Sequence, residues 1–263
     1  MKSVDIEAVN TGFGKMADQY DSLQQTNHSV QIMRKKFYEL VLKTIGPPAR
    51  MLELNCGSGI DARFFAEEGY NILATDVSDN MLKNARAKGE LPNLSFKKLN
   101  LNELENLSGE QYNIITSNLG GLNCLSDLTK LGKDVSDLLL PSGYFIATVM
   151  PRLALWEITL LFKGEFKRAL RRLQKSGSEA NVGREKIFVK YYSPAKLRKQ
   201  LSGNFNLIST KALRIFAPPP AADHWYRTHP KITSFLDTFD NRTEKLHVAA
   251  FACDYYIAVL QKK

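Results

Sequence analysis

The sequence predicts a doubly wound α/β fold, in which helices cover both faces of a mostly parallel sheet. Short apolar strands alternate with helical segments between residues 50 and 150, and a glycine-rich turn follows the first strand directly. The 263 residues suffice for one large domain. With 44% hydrophobic and 24% charged residues, the composition excludes a disordered or fibrous chain.

The order of residues predicts each element of the first half. Apolar residues at helical spacing predict helix over 12–45, which Gly46-Pro47-Pro48 ends. Ser78 precedes a helix over 79–88 as its N-cap, because its hydroxyl can accept from the first-turn amides. The predicted strands cover 50–55, 70–76, 94–99, 112–116 and 144–150, and the other helices follow residue 59 and span 126–139.

The pattern changes after residue 150. A long helix is predicted over 152–175, and the chain is extended over 186–192. Ser193-Pro194 then begins a helix over 194–202. The strands predicted over 205–216 and 254–261, with helix over 231–247 between them, bring the sheet to seven strands.

Targeting signals and paired cysteines are not evident in the sequence. The most apolar stretch, 153–162, is too short to span a membrane and carries Glu157, and the first residues lack the apolar core of a signal peptide. Cys56, Cys124 and Cys253 cannot all pair with one another. We therefore expect a cytoplasmic protein with a single core.

The excess positive charge is confined to one segment. Residues 151–200 hold 13 Lys or Arg and 4 Asp or Glu, so their net charge of +9 equals that of the whole chain. Such a segment could bind nucleic acid, an anionic membrane or an anionic substrate. The explanation must be local, because the rest of the chain is neutral.

The most informative segment is Met51-Leu52-Glu53-Leu54-Asn55-Cys56-Gly57-Ser58-Gly59. Gly57 and Gly59 allow a sharp turn from strand to helix, where a ligand can approach the bare backbone. Asp76 ends the next strand and could accept hydrogen bonds from both hydroxyls of a ribose. The pattern Gly57-Ser58-Gly59-Ile60-Asp61-Ala62 also fits a nicotinamide or flavin site, and a purely structural turn is a further alternative.

Together, the neighbouring residues resemble the class I S-adenosylmethionine-dependent methyltransferases. Glu53 and the glycines resemble the family's acid-x-Gly-x-Gly-x-Gly motif, and Ala17-Asp18-Gln19-Tyr20-Asp21 is similar to the "A-x-x-Y-D" segment of the quinone-biosynthesis type. The resemblance continues through 74–82, covering about residues 12–150 well and the last two strands loosely. It implies a Rossmann-like methyltransferase fold with an antiparallel last strand, and S-adenosylmethionine as the cofactor, with S-adenosylhomocysteine as product.

The resemblance also implies roles for individual residues. Asp76 would hold the ribose, Val77 and Met81 the adenine, and Glu53 the amino group of the methionine part. The sequence departs from the family at Asn55, which replaces a glycine, and at Asn100, which replaces an acid. The full set of expected cofactor-binding residues is Tyr20, Glu53, Asn55, Gly57, Gly59, Asp76, Val77, Met81, Asn100, Leu101 and Asn118.

The methyl acceptor is expected beneath two insertions that leave the carboxyl edge of the sheet, after residues 150 and 217. Candidate catalytic residues there are His224, Tyr192 and His28, and the stiff Pro218-Pro219-Pro220 run favours His224. No metal-ligand spacing occurs. Asn118-Leu119-Gly120-Gly121 replaces the Asn-Pro-Pro-aromatic motif of amino-methylating enzymes, which disfavours adenine-N6 or glutamine as the acceptor.

The segment 152–175 predicts a basic, amphipathic helix with additional aromatic residues. On a helical wheel, Leu155, Ile158, Phe162, Phe166, Ala169, Leu170 and Leu173 share one sector. Such a helix could cap the core with its apolar face, or rest on an anionic membrane and receive a lipophilic acceptor. We expect a small, lipophilic acceptor, quinone-like or lipid-like.

The sequence thus predicts one methyltransferase domain over 1–263. Its parts are a helical lid (1–46), a cofactor-binding core (47–150), a basic cap insertion (151–192) and C-terminal strands (193–263) with a second insertion at about 217–250. The alternatives are an NAD(P)-dependent oxidoreductase with the same glycine loop, and a nucleic-acid methyltransferase or binding protein using 151–200. Nucleic acid is the less favoured partner, and the sequence does not indicate an oligomeric state.

Overall fold

The computed structural model describes residues 6–174, 176–182 and 185–263. The strands are β1 (Arg50–Leu54), β2 (Asn71–Asp76), β3 (Leu94–Lys98), β4 (Tyr112–Ser117), β5 (Leu139–Val149), β6 (Ser178–Val182), β7 (Glu185–Val189), β8 (Phe205–Leu213) and β9 (Tyr255–Lys262). The α-helices are α1 (Ile6–Thr26), α2 (His28–Thr44), α3 (Ile60–Glu67), α4 (Asp79–Ala87), α5 (Thr129–Leu138), α6 (Leu155–Ile158), α7 (Phe166–Ala169), α8 (Pro194–Leu201), α9 (Asp223–Thr228) and α10 (Pro230–Thr243).

Seven of these strands form one sheet in the order β3-β2-β1-β4-β5-β9-β8. Strands β1 to β5 are parallel, whereas β9 runs antiparallel to both β5 and β8. The predicted seven-stranded, doubly wound sheet is therefore confirmed. Because β1 is covered on both faces, its residues Met51 to Leu54 are all buried, and the carboxyl ends of β1, β2, β4 and β5 meet at one edge.

Side-chain caps fix several helix starts. The hydroxyls of Ser78 and Ser193 accept from the amides of Met81 and Lys196, each at 3.4 Å, as the sequence predicted. Asn27 is a further cap, since its side chain accepts from the Val30 amide at 3.1 Å. Its extended backbone divides the helical region predicted over 12–45 into α1 and α2.

The prediction of a continuous amphipathic helix over 152–175 is wrong. The described part of this segment consists of α6, α7 and short 3₁₀ turns, interrupted by Gly164 in the left-handed region at φ 73°. Phe162 is 91% exposed, and Phe166, Leu170 and Leu173 are exposed as well. Of the predicted apolar stripe, these four residues therefore do not pack on the core, whereas Leu155 does.

The insertion after β5 packs against the N-terminal helix α1. Strands β6 and β7 form a hairpin that packs against α1, where Lys15 and Glu185 form an ion pair at 2.7 Å. The helix α1 also packs on α4, so it bridges the core and the insertion. No helix within the described residues has the length and apolar character needed to cross a membrane.

Candidate active site

A cavity lies at the carboxyl edge of the sheet, where β1, β2 and β4 end. It is lined by Tyr20, Asn55, Gly57, Asp76, Val77, Met81, Leu99, Asn100, Leu101, Asn118, Leu119, Gly120, Gly121, Cys124 and Leu125. We call it the first cavity. Nine of the eleven expected cofactor-binding residues line it, all but Glu53 and Gly59.

Asp76 is joined to the glycine loop at the floor of the first cavity. Its carboxylate accepts from the Gly57 amide at 2.8 Å and from the Ser78 amide at 2.9 Å. Burial raises the pKa of Asp76, and these backbone hydrogen bonds oppose that shift. Gly57 and Gly59 both have positive φ, and a Cβ on Gly59 would come within 2.9 Å of the Phe96 ring. Gly59 therefore shapes the loop from behind rather than lining the cavity.

The helix α1 covers this loop through Tyr20 and Asp21. A Cβ on Gly57 would lie 3.6 Å from the Tyr20 ring, which places that ring over the loop. Asp21 accepts from the Ser58 hydroxyl and pairs with Lys88 at 2.5 Å. Of the A-x-x-Y-D segment, the side chains of Ala17, Asp18 and Gln19 lie outside the described residues.

Asn55 occupies space that Gly121 leaves open. Its backbone is left-handed, with φ 57°, which asparagine tolerates better than most residues. A Cβ on Gly121 would stand 2.8 Å from Asn55 Cγ and 2.9 Å from Asn55 Cβ. Residue 121 must therefore be glycine as long as residue 55 carries this side chain. No hydrogen bond joins the Asn55 amide group to the other described residues.

Asn118 fixes the loop that follows β4. Its Nδ2 donates to Asp61 Oδ2 at 3.0 Å, while its Oδ1 accepts from Thr148 Oγ1 at 3.0 Å and from the Leu119 amide at 2.8 Å. Asp61 in turn pairs with Arg34 of α2. A network of buried polar groups thus connects the N-terminal helices to the wall of the first cavity.

Glu53 lies behind the cavity wall, with 2% of its surface exposed. Its Oε2 atom has no hydrogen-bond partner among the described residues. Burial raises the pKa of Glu53 to about 8, against the opposing effect of Arg34. The hydroxyls of Thr116 and Ser117, on the neighbouring strand β4, are also buried without a hydrogen-bond partner among the described residues.

Asn100 differs in detail from the expectation for the adenine end. Its Oδ1 accepts from the Asn102 amide at 2.9 Å, so the carbonyl that was expected to face the adenine already has one partner. Its amide nitrogen is left to serve as a donor.

A second cavity adjoins the first. It is lined by Met150, Trp156, Glu157, Thr159, Leu160, Lys163, Glu165, Arg168, Arg171, Arg172, Pro219, Pro220, Ala221, Ala222, His224, Trp225, Asp254 and Tyr255. Gly120 of the first cavity contacts two of these residues, because its Cβ would lie 2.9 Å from the Tyr255 ring and 3.5 Å from the Met150 methyl group. The two cavities therefore meet at Gly120, Met150 and Tyr255.

Buried charges attach the insertion to the sheet beside the second cavity. Glu157 accepts from Arg171 Nη2 at 2.6 Å and from Arg172 Nε at 2.9 Å, and Arg172 Nη1 donates to the Asp254 carbonyl at 2.8 Å. Burial opposes the charge on Arg172, but Asp254 and Glu157 together raise its pKa. This ion network joins α6 and the 171–173 turn to the residue that precedes β9.

Comparison with known proteins places this architecture in a family. Residues 51–143 match the family model described as "Methyltransferase domain". In 1,6-didemethyltoxoflavin-N1-methyltransferase from Burkholderia thailandensis, solved with 1,6-didemethyltoxoflavin and S-adenosylhomocysteine, the fold is similar, with a TM-score of 0.60 at 15% identity over 98% of this chain and 88% of that one. Residues 51–143 are similar to a methyltransferase domain. The predicted fold is thereby confirmed, and the match over residues 51–143 favours the methyltransferase over the oxidoreductase alternative.

Other relatives of the methyltransferase domain act on varied acceptors. NodS from Bradyrhizobium japonicum WM9, an N-methyltransferase solved with S-adenosylhomocysteine, has a TM-score of 0.54 at 12% identity, over 92% of this chain and 97% of that one. The malonyl-[acyl-carrier protein] O-methyltransferase of Pseudescherichia vulneris is 26% identical over 152 residues, 57% of this chain. This chain spans only 56% of the length of that relative.

Of the three candidate catalytic residues, only His224 lines one of the two cavities. Tyr192 is fully buried and donates to the Leu125 carbonyl at 2.6 Å, so its placement in the acceptor site is wrong. His28 is half exposed at the start of α2, stacks on Tyr226 and lines neither cavity, so it is misplaced as well.

Sequence reasoning missed Tyr255, which stands at the junction of the two cavities. No hydrogen bond joins its hydroxyl to another described residue, and burial raises its pKa. Only the position of Tyr255 at the start of the last strand could have indicated it, because β9 lies beside β5 in the sheet.

Proposed function

We propose that this protein transfers the methyl group of S-adenosylmethionine to a small molecule with a lipophilic body, releasing S-adenosylhomocysteine. One observation carries the proposal: the first cavity, with its glycine loop and Asp76, opens beside a second, largely apolar cavity. In this proposal the whole chain acts as one unit. The described residues of 1–46 would cover the core over 47–150, and those of the insertions over 151–192 and about 217–250 would enclose the acceptor.

The residues of the first cavity fit the cofactor. Because Gly57 has no side chain, an adenosyl group would have room to approach the backbone there. The buried Oε2 atom of Glu53, which has no hydrogen-bond partner among the described residues, could accept from a nearby cationic amino group. Asp76 would accept from the ribose hydroxyls, while Val77, Met81 and Leu101 would pack on the adenine. The cofactor supplies an electrophilic methyl group for in-line displacement.

The remaining task of the protein is to align the acceptor and exclude water. Tyr20 and Asp21 close over the glycine loop from α1. Tyr255 would donate a hydrogen bond to a polar group of the acceptor next to the accepting atom, and burial raises its pKa further above the neutral range, where the hydroxyl stays protonated. His224, in the wall of the second cavity, is our candidate for removing a proton from acceptors that must lose one.

A thermal shift with S-adenosylhomocysteine and NAD in parallel tests the cofactor. A ligand at about 100 times its dissociation constant adds about 2.7 kcal/mol, which should raise the melting temperature by several degrees. We expect a shift with S-adenosylhomocysteine and none with NAD. A shift with NAD alone would overturn the proposal in favour of the oxidoreductase.

Asp76→Ala identifies the cavity that is used. Loss of two charge-assisted hydrogen bonds should weaken S-adenosylhomocysteine binding about 100-fold in calorimetry. Asp79→Ala is the matched control, because Asp79 is an exposed residue of α4 that lines neither cavity. Equal affinities of the two variants would place the binding site elsewhere.

We also propose peripheral contact with anionic membranes through 152–175. The exposed rings of Phe162 and Phe166 flank Lys163 and adjoin Lys167, and neither lysine has an acidic partner among the described residues. Apolar rings beside unpaired cations suit an anionic lipid surface. Vesicles containing phosphatidylserine should sediment the protein at low salt, and should not sediment the Phe162→Ser/Phe166→Ser variant. Equal sedimentation with neutral phosphatidylcholine vesicles would contradict the charge component.

A further inference from the structure

We propose that the second cavity selects a flat acceptor that carries an anionic group, such as an aromatic or conjugated carboxylate or phosphate ester. The inference rests on the proposed function, because it names the class of acceptor for the same site.

The apolar part of the second cavity has flat walls. Trp156 and Trp225 meet edge to face with their ring centroids 5.4 Å apart, and Pro219 and Pro220 line the cavity beside them. The indole of Trp225 is supported from another side by His229, which stacks on it at 4.6 Å. Aromatic and proline surfaces that are held in place favour a planar ligand over a bulky, branched one.

The acids of the second cavity are already neutralised by the protein. Glu157 pairs with Arg171 and Arg172, and Arg172 also pairs with Asp254. Glu165 pairs with Arg168 on the rim. No lining carboxylate among the described residues is therefore left to bind a cationic acceptor.

One cation of the lining remains in excess. Among the described residues, four Lys or Arg and three Asp or Glu line the cavity, and their formal charges sum to 4 − 3 = +1. Lys163 is exposed and has no acidic partner among the described residues. The segment 151–200 around it carries +9, so the potential at the cavity favours an anion over a neutral or cationic molecule.

The flat aromatic walls and the unpaired lysine would bind different parts of the acceptor. The accepting atom must reach the junction with the first cavity at Gly120 and Tyr255, whereas Lys163 belongs to the insertion. We therefore assign the anionic group to Lys163 and the planar body to the space beside Trp156 and Trp225.

Intrinsic fluorescence reports directly on this site. The chain has two tryptophans, and both line the second cavity. Quenching of this fluorescence by iodide is compared with quenching by caesium at constant ionic strength. A potential of about +1 kT at the rings would raise local iodide about threefold and lower caesium by the same factor.

Lys163→Glu tests the source of the selectivity. We expect this change to reduce the ratio of iodide to caesium quenching at least severalfold. Lys133→Glu, at an exposed position of α5 that lines neither cavity, should leave the ratio unchanged. Stronger quenching by caesium in the unmodified protein, or the same ratio in both variants, would overturn the proposal.

Planarity and charge are tested together with two matched probes. 2-Naphthoate should protect the tryptophans from acrylamide quenching, and the naphthylmethylammonium ion of the same shape should protect them far less. Absence of protection by the carboxylate, or equal protection by the two probes, would contradict the assignment. Calorimetry with S-adenosylhomocysteine alone reports separately on the proposed function, since failure there leaves the fluorescence outcomes unaffected.

Discussion

Two clusters of buried polar groups in this protein differ in whether their hydrogen bonds are complete. Beneath the first cavity, one carboxylate oxygen of Glu53 has no hydrogen-bond partner among the residues that the structure describes, and neither do the hydroxyls of Thr116 and Ser117 beside it. Beneath the second cavity, Glu157, Arg172 and Asp254 bond to one another. Both clusters are buried, so exposure does not explain the difference.

The difference indicates that one cluster is available to bind a ligand, whereas the other stabilises the fold. An unpaired buried polar atom costs free energy, and a protein retains one where something else completes its hydrogen bonds. A paired network has no capacity left for a ligand, but it ties distant segments together. We infer that Glu53 serves the cofactor and that Arg172 anchors the insertion.

Replacing Arg172 should produce the largest effect. Arg172→Ala leaves Glu157 and Asp254 buried with fewer partners, which should lower the free energy of unfolding by about 3–5 kcal/mol. Urea denaturation measures the loss. Arg168→Ala, which removes an exposed ion pair with Glu165, is the control and should cost less than about 1 kcal/mol.

The same variant tests whether the two regions are independent. Under conditions where Arg172→Ala is folded, its affinity for S-adenosylhomocysteine should change by no more than about twofold, because distant sites usually act additively. A large loss of affinity would show that the network also shapes the first cavity.

Glu53 should give the protein a distinctive pH dependence. Its pKa is raised from about 4.5 to about 8, so the folded chain binds more protons than the unfolded chain between those values. Its contribution to stability is therefore greatest at low pH and is lost as the pH rises towards 8, at a slope of at most about 1.4 kcal/mol per pH unit. Glu53→Gln should flatten this decline in urea denaturation series.

Ligand binding should reverse the sign of the effect. A cationic amino group near Glu53 favours the ionised carboxylate, so binding of S-adenosylhomocysteine should release protons near pH 7. Calorimetry in buffers of different ionisation enthalpy measures this release. 5′-Methylthioadenosine, which lacks the amino-acid part, is the control ligand, and equal proton release by both ligands would exclude this role of Glu53.

The sequence predicted the first cavity far better than the second, for a physical reason. Asp76, Gly57 and Asn118 follow directly from strand ends, and parallel strands bring those ends to one edge whatever lies between them. The prediction of a helix over 152–175 failed because its apolar spacing is broken at Gly164, and because two of its buried residues, Glu157 and Arg172, are charged. Tyr255 was missed, and Tyr192 was misplaced, because their neighbours come from distant segments of the chain.

Substitutions of Asn55 and Gly121 should give the smallest effect, and they test how residues next to the strand ends shape the first cavity. Gly121→Ala would force a Cβ against Asn55, and overpacking of this kind should lower the free energy of unfolding, measured by urea denaturation, by about 1–2 kcal/mol. Adding Asn55→Gly removes the obstacle, so the double variant should recover much of that loss. We expect Asn55→Gly alone to weaken S-adenosylhomocysteine binding more than 5′-methylthioadenosine binding, because the family resemblance implies that residue 55 lies near the carboxylate end of the cofactor. Additive losses in the double variant would show that the two residues do not compete for this space.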